Sequence, residues 1–136
     1  KYFIPANFSK LNEFKNEATY FKGFNLIINL REANILLSLK KYKDTVDASK
    51  AIFKKIKTET NLTIVTDGPN ITCGVSKEGV AKVQPKVIRT NVSRLGAGDA
   101  FFAFFLSHME LNPEAGLKKS LYVANQKTQK YLQANE

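Results

Sequence analysis

Hydrophobic positions recur along this chain with two alternating periods, and that alternation predicts its elements. Tyr2 to Ile4, closed by Pro5, reads as a short strand, and Ser9 is placed to cap a helix through about Tyr20 with Leu11, Phe14 and Ala18 on one face. Gly23 breaks that pattern. Asn25 to Leu30, with Leu26-Ile27-Ile28 at its centre, then reads as a buried-type strand, and Arg31 to Tyr42 carries Ala33, Leu36, Leu37 and Leu39 at helical spacing. A second helix is predicted over Val46 to Thr58, followed by a buried strand over Leu62 to Thr66 and turn chemistry at Asp67-Gly68-Pro69-Asn70. Ile71 to Ser76 and Val80 to Arg89 read as two strands joined through Lys77-Glu78-Gly79, and so as a hairpin. Beyond Gly96 the pattern is helical, from about Ala100 to Leu111 and, after Asn112-Pro113, on to about Gln133. Strands alternating with helices, then a hairpin, then paired helices predict an α/β layered domain over residues 1–136, without repeat or linker.

Composition narrows the function classes. The chain has 136 residues, 43% of them hydrophobic, which suffices for one core. Its longest apolar run, Ala100 to Leu106, falls far short of the roughly 20 residues that span a bilayer. The single cysteine, Cys73, supports neither an internal disulfide nor a cysteine-built zinc site, so a cytoplasmic setting is expected. The net charge of +9 raises the question of nucleic acid. Its lysines are spread over most of the chain, however, and arginine occurs only at Arg31, Arg89 and Arg94, so a solvated lysine-rich surface is the better reading. Lys1 in place of an initial methionine suggests that the chain begins partway through a larger protein.

The densest chemistry lies at Gly96-Ala97-Gly98-Asp99. Two glycines around a small residue allow a tight turn and a close ligand, and the helix beginning there directs unpaired N–H groups and its positive end at the same point. An aspartate in that first turn can also accept a proton from an attacking hydroxyl. The lone histidine, His108, lies about two turns further on and reads as packing, as do Phe101, Phe102, Phe104 and Phe105, which predict a helix buried on most sides.

Gly96-Ala97-Gly98-Asp99-Ala100-Phe101 resembles the C-terminal signature of the ribokinase-like (PfkB) carbohydrate and nucleoside kinases. Three further stretches follow that family's order. Asn29-Leu30-Arg31-Glu32 is similar to its N-x-x-E motif, Thr66-Asp67-Gly68 to its T-x-G nucleotide loop, and Tyr122-Val123-Ala124-Asn125 to its adenine-side segment. The resemblance implies a three-layer α/β/α, Rossmann-like fold, of which this chain is the C-terminal portion, and ATP-dependent phosphoryl transfer to a hydroxyl of a sugar, sugar phosphate or nucleoside. Asp99 would then be the general base, and the amides of the turn from Gly96 through Ala97 and Gly98 to Asp99 would stabilise the transferring phosphoryl group. Glu32 would organise Mg²⁺ through water, with Asn29 near the phosphates, while Thr66 and Gly68 line the nucleotide and Asn125 meets its base. Read without the family, Glu32 is a dipole-favoured first-turn acid, Thr66 a strand end and Asn125 a surface residue.

The chain departs from the family pattern at Arg94, where a threonine-type residue is usual, at Phe104, where a small one is, and at Ile71, where the nucleotide loop has its second glycine. These departures keep open a second reading, a non-catalytic nucleotide-binding or regulatory module that retains the anion hole. Arg89-Thr90-Asn91-Val92 resembles pseudouridine-kinase-like members. Nothing in the chain resembles the family's substrate-binding N-terminal half, which implies that the rest of the same protein, or a partner chain, completes the acceptor site.

Overall fold

Successive residues of the central strands enter two different cores, and this divides the molecule into three layers. The computed structural model describes residues 2–3, 25–37, 41–56, 62–85 and 96–134. Among them the strands β1 (Tyr2–Phe3), β2 (Asn25–Asn29), β3 (Leu62–Thr66), β4 (Thr72–Ser76) and β5 (Gly79–Val83) lie side by side in that order. β1, β2 and β3 run parallel, and β4 and β5 add an antiparallel hairpin at one edge. The helices are α1 (Leu30–Leu37), α2 (Thr45–Ile56), α3 (Ala97–Leu111) and α4 (Leu117–Ala134).

Leu26, Ile28 and Val65 pack with Ala33 and Leu36 of α1 and Ala48 and Ile52 of α2. Ile27, Leu62 and Ile64 turn the other way, against Phe101 and Phe105 of α3 and Leu121 and Ala124 of α4. Strands covered on both faces need apolar residues at consecutive positions, as at Leu26-Ile27-Ile28 and Ile64-Val65. The expected α/β/α layering is what the chain adopts. Gly74 on β4 permits close approach of α4: a Cβ there would lie 3.1 Å from Leu117 Cδ2 and 3.2 Å from Leu121 Cδ1.

Several boundaries shift for local reasons. Among the described residues α1 ends at Leu37, and Lys41 and Tyr42 are outside any helix. The Asn34 side chain accepts from the Tyr42 N–H (2.7 Å) and donates to the Tyr42 carbonyl (3.0 Å), tying Tyr42 to α1. Asp44 caps α2, its Oδ1 accepting from the Asp47 N–H at 2.8 Å, so the helix starts at Thr45, one residue before the apolar pattern does. β5 stops at Val83 and does not continue to Arg89: Gln84 turns its amide to the Pro69 carbonyl (2.7 Å), and Pro85 removes a ladder donor. α3 begins at Ala97, and not at about Ala100. The predicted helix from Ser9 to Tyr20 and the stretch from residue 86 to 95, with Arg89 and Arg94, lie outside the described residues.

α3 is less enclosed than its phenylalanines predict. Phe101 and Phe105 are buried and stacked at 6.1 Å, but Phe102 and Phe104 are half-buried and Ala103 and Ser107 are exposed. One face of the helix meets the sheet and one flank meets α4, leaving the opposite side to solvent. Phe104 rests edge-on against Tyr131 with centroids 6.4 Å apart, and His108 Nδ1 lies 3.0 Å from the hydroxyl of Ser120, so both residues join α3 to α4. Replacing fully buried Phe105 by alanine is expected to lower the unfolding free energy by about 3–5 kcal/mol, while the same change at exposed Leu111 costs under about 0.5 kcal/mol, as measured by urea denaturation.

Candidate active site

The carboxyl ends of β2 and β3 are adjacent, and their last residues, Asn29 and Thr66, are register partners. Two motifs distant in sequence therefore meet at one edge of the sheet, where parallel α/β sheets form ligand crevices. Asn29 also starts α1. Its Oδ1 accepts from the Glu32 N–H at 2.8 Å and its own N–H donates to Glu32 Oε1 at 2.9 Å, a reciprocal capping box. The N-x-x-E spacing is thus a helix start as well as a candidate functional pair. Burial raises the pKa of Glu32, opposed by the Asn29 N–H that favours the charged form.

Opposite these strand ends lies the start of α3. Gly96 precedes it with φ 81° and ψ 2°, a left-handed conformation that a side chain resists. The first helical bond runs from the Ala100 N–H to the Gly96 carbonyl at 2.9 Å, and no side chain caps this end. The N–H groups of Ala97, Gly98 and Asp99 thus have no helical acceptor, which leaves them to an anion. A Cβ on Gly98 would meet nothing within 4 Å, so open space adjoins that amide.

Between these elements is a cleft of about 230 Å³ lined by Asn29, Thr66, Gly68, Ala97, Gly98 and Asn125, six of the residues chosen from sequence. Asp99, Glu32 and Gly96 adjoin it without lining it; Asp99 is exposed as the first-turn acid of α3. Gly68 holds the turn after β3 with φ 52°. Asn125 is not a surface residue. It is 8% exposed, and its Oδ1 accepts from the Thr72 hydroxyl at 3.5 Å.

Sequence reasoning passed over Thr72 and Gln129, which also line the cleft. The signal for Gln129 was present: it lies one turn after Asn125 on the stripe of α4 that buries Leu121, Ala124 and Leu132, where a core position is expected to be apolar. Ile71 and Phe104, two departures from the family pattern, do not line the cleft. A larger hollow of about 670 Å³ lies around Asp44, Asp67 and Gln84, but the smaller cleft is the one that joins the uncapped N-terminus of α3 to the chosen residues Asn29, Thr66, Gly68 and Asn125.

The sequence profile of the pfkB family carbohydrate kinases matches residues 21–131. The chain belongs to this family. No curated protein matches it by sequence. Adenosine kinase from Trypanosoma brucei brucei superposes with a TM-score of 0.74 at 20% identity, covering 93% of this chain and 41% of its own. A phosphofructokinase-2 variant from Escherichia coli gives 0.69 at 17% identity, covering 95% and 48%. A pyrophosphate-dependent kinase in the ribokinase family gives 0.69 at 17% identity, covering 89% and 39%. These matches establish the fold, and the chain spans less than half the length of each of the three. Among the described residues no helix is long and apolar enough to cross a membrane, and no group of three or more His, Cys, Asp or Glu gathers to hold a metal.

The site makes two predictions. Gly98→Ala should leave folding intact or stabilise it by up to about 1 kcal/mol, since alanine suits a helix and finds open space, yet weaken anion binding by placing a methyl beside the amides. Melting curves and a phosphate or nucleotide titration check the two halves separately. Glu32→Gln retains the capping box without the buried charge. Because folding raises the Glu32 pKa, the wild-type chain loses stability as pH rises from the ordinary carboxylate range through the raised value. The glutamine variant should melt at or above the wild-type temperature at neutral pH, and the gap should close in acid.

Proposed function

We propose that this chain is the phosphoryl-donor side of an ATP-dependent kinase that transfers the γ-phosphoryl group to a hydroxyl of a sugar, sugar phosphate or nucleoside. The observation that carries this reading is the cleft itself: β2, β3 with its following turn, and α4 deliver Asn29, Thr66, Gly68 and Asn125 to one crevice facing the amides of Ala97 and Gly98 at the start of α3. The rest of the protein, or a partner chain, supplies the acceptor's pocket. The protein works in the cytoplasm, and its scattered lysines solvate the surface without forming a nucleic-acid face.

The amides of Ala97, Gly98 and Asp99 hold the transferring phosphoryl oxygens where negative charge is concentrated. Asp99 takes the proton of the acceptor hydroxyl as its oxygen bonds to the γ-phosphorus and the bond to the leaving ADP oxygen breaks. Thr66 and Gly68 contact the donor's phosphates and ribose, and Asn125 meets the base. Glu32 keeps its second carboxylate oxygen clear of the capping box. One such oxygen fits a Mg²⁺ ion carried chiefly by phosphates and water, and Mg²⁺ supplies charge neutralisation there.

In the full-length protein Asp99→Asn is expected to lower turnover by about 10²–10⁴-fold while nucleotide affinity stays within a few-fold. Turnover over a panel of sugars and nucleosides, beside ATP calorimetry, checks this; near-normal turnover removes Asp99 from the base role. ATP binding by the wild-type protein without transfer to any acceptor would favour the non-catalytic module.

A further inference from the structure

Among the described residues β5 ends the sheet, and its outer edge is open. The hairpin closes at Ser76 and Gly79 across a two-residue turn, so Ser76 with Gly79, Gly74 with Ala81 and Thr72 with Val83 are its hydrogen-bonded pairs. The backbone N–H and C=O groups of Val80 and Lys82 therefore point away from β4, and no group among the described residues pairs with them. Beside this edge a largely apolar groove of about 680 Å³ runs between β5 and α4, lined by Lys82, Val83, Gln84, Lys118, Lys119 and Tyr122. It shares no lining residue with the donor cleft. Val83 joins the core under α4, so alternation along β5 puts Val80 on the other face of the sheet. Val80 and Tyr122, each 44% exposed, thus flank the edge on both sides. Lys119 Nζ stands 5.6 Å from the Tyr122 ring centroid, which makes cation and apolar surface contiguous. Three lysines line the groove and no acidic residue does.

We propose that this edge docks an acidic, extended segment of a partner protein, which adds to the sheet as a strand beyond β5. Strand addition supplies main-chain partners to Val80 and Lys82. An apolar side chain of the segment, directed into the groove, covers Tyr122, and neighbouring carboxylates meet the lysines. A lysine on an edge strand discourages pairing by charge, and that barrier is selective: it repels a basic strand and admits an acidic one. A second copy is disfavoured on the same ground, since two copies joined here would bring their lysines together in chains of net charge +9. A phosphodiester backbone would attract the lysines, but it has no N–H groups to offer the carbonyls of Val80 and Lys82.

Fluorescence anisotropy of the full-length protein with a labelled octapeptide of alternating glutamate and valine tests it. The peptide should bind about tenfold or more tightly than its lysine–valine counterpart and weaken as salt rises. Methylating alternate backbone nitrogens of the peptide, on its strand-pairing side, should lower affinity by about tenfold. Lys118→Glu combined with Lys119→Glu should lower it by about tenfold as well. Val80→Pro removes an outward N–H and no hairpin hydrogen bond, so it should melt near the wild-type temperature and weaken the peptide by about fivefold. If that variant melts early, the methylated peptide still decides on the wild-type protein. No binding of the acidic peptide, or binding that ignores backbone methylation, overturns the proposal. Equal affinity for an eight-nucleotide oligothymidylate, the mark of a general polyanion face, also overturns it. So does concentration-dependent dimerisation that Val80→Pro abolishes, the mark of a second copy at the edge.

Discussion

The parallel pairing of β2 with β3 is the constraint on which the rest depends. It places Leu26 beside Thr63, Ile28 beside Val65 and Asn29 beside Thr66, and thereby fixes which residues enter which core. Side chains alternate faces with a period of two, so a slip of one residue would exchange the contents of the two helical layers. The same register sets Asn29 and Thr66 together at the carboxyl edge. Packing and site geometry are therefore two results of one pairing.

Several locally costly features lie around that edge, although Thr63 Oγ1 within β3 is also buried without a partner. Gly96 adopts a left-handed backbone, α3 begins without a side-chain cap, Glu32 carries a burial-raised pKa, and Asn125 and Gln129 bury unpaired amide atoms. Each of these opposes stability, by about 1 kcal/mol or more in the case of an unsatisfied buried group. The core beneath is formed by ordinary packing, with Phe105, Leu121, Ile64 and Leu26 fully enclosed.

The departures from the family pattern look different in three dimensions. Ile71 lies on the far side of its turn, where its carbonyl accepts from the Thr45 hydroxyl at 2.6 Å and ties α2 to the β3–β4 connection. Phe104 is accommodated by the ring of Tyr131. Neither residue lines the cleft.

By itself the sequence determined the order and type of the described elements, the two-faced burial of β2 and β3, and the glycine turn ahead of α3. All of these follow from local spacing and from the conformational range of glycine, which neighbouring residues reveal. Only the tertiary structure decided the element ends and the environment of α4. The end of β5 at Val83 goes with a side chain reaching across the chain, Gln84 to Pro69. Read without the family, Asn125 passed for a surface residue, and Gln129 drew no notice, because the burial of a helix position depends on the sheet it lands on. That sheet is built by residues far away in sequence, and no local period records where α4 meets it.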